Sequence, residues 1–152
     1  MEPITGTLSV ILEPVTIAPA APPHTYLGVA NSMFAGVTVL AAASPPPALP
    51  LSFLCAHTLE CILKAFLSRS GDDTRLKQPG IRHDLNKLWV LASTEGFQIP
   101  NSPPPWIDCL STLHAFPYYL RYSTGVHGIV SPPSALMVSD LAALLQQVRQ
   151  QI

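Results

Sequence analysis

The sequence predicts an all-α protein, an antiparallel bundle of about five helices behind a short extended N-terminal segment. Apolar residues recur at helical spacing in several segments, as Leu85, Leu88, Trp89 and Ala92 do at i, i+3, i+4 and i+7. Short stretches rich in Pro, Gly and Asp, such as SPPPALP and SGDDTRLKQPG, separate those segments. The 152 residues suffice for one domain with one sizeable core.

Taken in order, residues 1–23 read as an extended, proline-rich prelude and residues 24–152 as the bundle. GTLSVILEPVTI is rich in β-branched residues and broken by Pro14, the pattern of one or two short strands. APAAPP follows as a stiff linker. A first helix is expected over about 25–43 and a second over about 48–69, with Pro45 to Pro47 confined to the turn between them. HDLNKLWVLAS opens a third helix. NSPPPWIDCLSTLHAF opens a fourth reaching about residue 116, with Ser102 as its cap and prolines in its first turn. The last helix, in SPPSALMVSDLAALLQQVRQQI, carries its apolar stripe on Met137, Leu141, Leu144, Leu145 and Val148.

Charge is scarce. Only 11% of residues are charged, against roughly 25% in typical domains, and the formal net charge is −1. A global basic field that would hold nucleic acid non-specifically is therefore excluded, and any such contact must be local. A surface so poor in charge suggests that part of it is covered by another copy or a partner. The cysteines, Cys55, Cys61 and Cys109, are odd in number and lack a C-x-x-C pair, which suits a reduced, cytoplasmic protein. MEPITGTL lacks the basic start of a secretory signal. The uncharged run 26–43 is marginal in length for a membrane span and diluted by Asn31, Ser32 and Thr38, so a buried helix rather than a membrane partner is expected.

The chemistry-bearing pattern lies in LCAHTLECILKAF. On a helix, His57, Glu60 and Lys64 fall at i, i+3 and i+7, along one narrow edge of a nearly apolar cylinder. Two readings stand. The row is either the one solvated edge of the helix, with Glu60 four residues before Lys64 in the favourable ion-pair order, or the wall of a groove facing HDLNK and LRY. In both, Cys55, Leu59, Ile62 and Phe66 face the core. In the groove reading Glu60 is expected within salt-bridge or water-bridged reach of Arg121. His57 and Cys61 have a metal-ligand spacing, but no second paired motif accompanies them, so no metal and no cofactor is expected. His114 ends an apolar helix and reads as a packing residue or a C-terminal-turn charge.

HTLECILKAFL, then HDLNKLW, then LRY resemble the HEPN superfamily, small helical bundles named for nucleotide binding in higher eukaryotes and prokaryotes. The matching features are His57, Glu60 and Lys64, then His83, Asp84 and Leu85, then Leu88, Trp89, Arg121 and Tyr122. The resemblance covers roughly residues 27–150. The resemblance implies a nucleotide- or RNA-binding or protein-interaction module that forms a homodimer, with a nucleotidyltransferase or an antitoxin as possible partner protein. Its groove would be formed by His57, Glu60, Lys64, His83, Asp84 and Tyr122. Many HEPN domains are metal-independent endoribonucleases of toxin or phage-defence systems, with an Arg, four to six residues, then a His. Arg121 and His127 fit that spacing and are the candidate catalytic pair. Arginine would grip the scissile phosphate, and histidine would move the proton of the 2′-hydroxyl. Gly125 and Gly128, however, make this stretch a loop rather than a rigid helical turn. Tyr122 stands where active members carry a polar residue. The binding module is therefore the favoured expectation and the nuclease its alternative.

Overall fold

The uncharged segment that opens the bundle forms helix α1, His24–Ala41. A computed structural model of the chain describes residues 21–122 and 128–152. The proposed N-terminal strands and His127 lie outside the described residues. Among those residues there are five α-helices and no strand, the all-α bundle that the periodicity predicts.

The short link 42–47 turns the chain into α2, Ala48–Leu67, which runs back along α1. Gly36 permits the close approach, since a Cβ there would lie 2.9 Å from Leu54 Cδ1. α2 is the hub and touches every other α-helix of the bundle. Cys55, Leu59, Ile62 and Phe66 are buried as expected, and Leu51, Leu63 and Leu67 join them. Burying each large aliphatic side chain contributes about 1.5–3 kcal/mol, which is why this helix anchors the fold. Among the described helices α2 is the one long and apolar enough to cross a membrane, and it is mostly buried inside the bundle.

After α2 the chain crosses Gly71, at φ +95°. It then makes a 3-10 turn, Thr74–Lys77, that seats Leu76 fully in the core. The sequence shows this stretch only as a polar loop. Arg75 ties it to Glu95 through hydrogen bonds of 2.5 and 2.8 Å.

Helix α3, Leu85–Thr94, starts where Asp84 accepts the Lys87 N–H at 3.0 Å. It stops in a Schellman arrangement. Gly96, at φ +95°, lets its own N–H reach Ser93 O and the Phe97 N–H reach Ala92 O, and Phe97 folds back into the core.

Helix α4 is Pro105–His114, with Pro104 rather than Ser102 at its cap position. Pro104 is extended, at ψ 155°, so the helix cannot begin early enough for Ser102 to reach its first N–H groups. Helix α5, Ser134–Arg149, buries the five stripe residues predicted for it against α1 and α2. Trp106 Nε1 donates to Asp140 at 2.8 Å and fixes α4 against α5. All three cysteines are free thiols.

Candidate functional site

The row His57, Glu60 and Lys64 lies on α2, and the bundle buries most of it. Glu60 is 3% exposed and Lys64 6%. This excludes the fully solvated edge. Two charges in so dry a place require partners, and the surrounding elements supply them. Lys64 Nζ donates to Glu60 Oε1 at 2.7 Å. His114, wholly buried in the last turn of α4, lies with Nε2 2.6 Å from Glu60 Oε2. His83, just ahead of α3, lies with Nδ1 3.1 Å from the same oxygen.

The carboxylate thus faces one ammonium and two imidazoles. Burial pushes the Glu60 carboxyl up. The hydrogen bond from His114, the field and hydrogen bond of Lys64, and the hydrogen bond from His83 outweigh that push and hold it well below the usual carboxylate range. With Glu60 ionised, both histidines donate to it. His83 is then the Nδ1–H tautomer, and its Nε2 is bonded by no described residue. Burial also lowers the basicity of His57 and His83, against the pull of Glu60 in each case.

The expected direct ion pair between Glu60 and Arg121 does not form: no such contact lies within 4.0 Å. Lys64 and the two histidines fill the carboxylate. Arg121 stays outside, exposed, with its guanidinium carbon 5.9 Å from the Phe53 ring centre and 5.8 Å from that of Tyr118. It remains close enough for its charge to disfavour protonation of His57 and His83.

Around it runs a strip of rings. Phe53 stacks on His57 at 6.3 Å, and Tyr118 meets His83, Phe116 and Tyr122 edge-on at 5.7, 5.9 and 6.2 Å. Phe116 is 83% exposed and Tyr122 62%. Tyr118 sits at φ +68°, a left-handed conformation that costs a non-glycine residue about 1–2 kcal/mol. His83, Asp84, Lys87, Phe116 and Tyr118 line a groove of about 270 Å³.

The structure gathers His57, Glu60, Lys64 and His83 at one place, but Glu60 and Lys64 are too buried to wall a groove; His83 and Asp84 line the groove, and Tyr122 touches Tyr118 beside it. Arg121 adjoins this group without entering it. His114 is the residue the sequence misplaces, since it belongs to the site rather than to general packing. The sequence signals this only by setting an imidazole four residues after Leu110, in line with the buried face of α4.

Four buried side-chain atoms lack a hydrogen-bond partner among the described residues: Nδ1 of His57, Nδ1 of His114, Ser52 Oγ and Asn86 Oδ1, each at a cost of about 1–3 kcal/mol. No protein-family model, curated protein or solved structure matches the chain.

Proposed function

We propose that the chain is a HEPN-like helical domain that binds a nucleotide or single-stranded RNA as a homodimer in the cytoplasm. The supporting observation is Arg121. Its exposed guanidinium has no carboxylate of the described residues within 4.0 Å, and it lies beside Phe53 and Tyr118. A free cation beside accessible rings matches the two demands of a nucleotide, a phosphate to grip and a base to stack. Tyr122 and Phe116 extend the stacking surface, and Lys87 adds a second cation at the rim of the groove.

Titrating a fluorescent single-stranded RNA and labelled nucleotides, followed by anisotropy, tests this reading. Saturable binding is expected, weakening as salt rises. Arg121→Ala should weaken it by about tenfold or more, the value of one charge-assisted phosphate contact. No binding, or binding indifferent to Arg121→Ala, refutes the reading.

A second reading, the metal-independent endoribonuclease, has its own support in the orientation of His83. A carboxylate-held imidazole with Nε2 free beside an arginine can accept a 2′-hydroxyl proton. On this reading Arg121 grips the phosphate, and His127 or His83 moves the proton. RNA cleavage in the presence of a chelator, abolished by Arg121→Ala, distinguishes it from binding alone.

A further inference from the structure

We propose that His57, Glu60 and His114 bind one divalent transition-metal ion of the zinc class. The site lies behind the aromatic strip, and the proposal stands apart from the nucleotide reading. One ligand atom from each of the three residues lies within 4.8 Å of the others. Two imidazole nitrogens and a carboxylate oxygen form a donor set suited to zinc or cobalt, with a fourth position left for water.

The backbone brings them together by simple means. His57 and Glu60 fall one turn apart on α2, and the last turn of α4 delivers His114 from the opposite wall. The second, independent observation is the orphaned Nδ1 of His57. His57 is half-buried, yet its Nδ1 atom is buried and has no partner among the described residues. A buried imidazole nitrogen without a donor or acceptor points to a missing ion or water, and the adjacent carboxylate favours the ion.

His83, with Nδ1 3.1 Å from Glu60 Oε2, orients the carboxylate as the outer hydrogen-bond partner of a metal ligand does. An ion bound at about 2.0–2.1 Å from each donor needs neighbouring donors about 3.3 Å apart. If the ion takes His114 Nε2, the 2.6 Å between that atom and Glu60 Oε2 must widen by about 0.7 Å, and the ion displaces the proton that Nε2 otherwise donates to the carboxylate. Lys64 opposes the ion by charge, so its neutralisation should strengthen binding. The partial exposure of His57 leaves a way in from the surface.

The test uses the full chain, freed of metal by chelator and dialysed. Cobalt(II) titration should give the visible d–d bands of a four- or five-coordinate nitrogen–oxygen site, saturating at one ion per chain, and zinc should displace it. His57→Gln, a half-buried position, should weaken cobalt binding by at least about tenfold, while the exposed control His24→Gln should not change it. Lys64→Met should tighten it. His114→Gln should abolish the bands; should that variant fail to fold, His57→Gln decides alone. No saturable binding of either ion would overturn the proposal. So would bands unaffected by His57→Gln, or an intense sulfur-to-cobalt charge-transfer band, which would move the site to Cys61.

Discussion

Replacing Glu60 by Gln should destabilise the protein by about 3 kcal/mol. The carboxylate receives three donors: Lys64 on one oxygen, His83 and His114 on the other. The amide keeps one carbonyl oxygen and turns the second position into a donor. One side of the cluster then confronts donor with donor, and the Lys64 ammonium, 6% exposed, loses its countercharge. Removing one partner of a buried pair costs about 3–5 kcal/mol. The amide oxygen still accepts from one group, which places the effect at the lower end of that range. Both groups are too buried for solvent screening to discount it. For a domain of this size, 3 kcal/mol corresponds to a fall in Tm of about 6–12 °C, measurable by calorimetry. Lys64→Met alone should cost less, because His83 and His114 remain to hold the carboxylate. The double variant should be more stable than additivity predicts, since the orphaned ammonium is gone. A Glu60→Gln variant within about 1 kcal/mol of the parent, or strictly additive effects, would refute the coupled buried network.

Acid should unfold the protein in two stages. His57 and His83 are less basic folded than unfolded, and Glu60 more acidic, so in each case the unfolded chain binds more protons and stability rises with pH. Tm should fall as pH drops below about 6.5, and again below about 4.3. The first stage should be flattened by His57→Gln with His83→Gln, and a Tm constant between about pH 7 and 5 would contradict it. In the core, Leu59→Ala at a fully buried position should cost about 2–5 kcal/mol by denaturant titration. Val39→Ala, on an exposed face of α1, should change stability by less than about 0.5 kcal/mol. If the proposed homodimer forms, sedimentation velocity should give twice the chain mass at micromolar concentration. A single-chain mass throughout would rule it out.

The helices were legible because their apolar stripes are long and their ends carry local signals. Asp84 ahead of α3 and the five buried positions of α5 can be read from spacing alone. The 3-10 turn was not legible: one buried leucine, Leu76, in a polar loop produces no period. Nor was the start of α4, where three consecutive prolines allow several starting points and only the backbone at Pro104 fixes one. Within the site, Glu60 and Lys64 at i, i+4 are a local relation and were visible. The contact between Glu60 and His114 spans 54 residues of sequence, and no local pattern encodes it. A direct contact with Arg121 would be required only if both charges were buried, and the exposed guanidinium is solvated and needs no carboxylate.

A buried ion pair is weak support for a fold, since apolar residues of similar volume often serve as well or better. α2 already has ample apolar surface, so the positions of Glu60 and Lys64 could be filled by leucine without loss of packing. In a chain with only 11% charged residues, a carboxylate, an ammonium and three imidazoles are nonetheless collected where α2, α4 and the start of α3 meet. Two imidazole nitrogens there go unpaired, and nearby Tyr118 holds a left-handed backbone. Each of these features lowers stability. All lie within one region that opens to the surface through His83 and the aromatic strip. Strain and two of the four unsatisfied buried side-chain atoms among the described residues fall together here, the pattern that the proposed binding role would leave. The apolar remainder of α2 supplies the stability that offsets the cost of this one region.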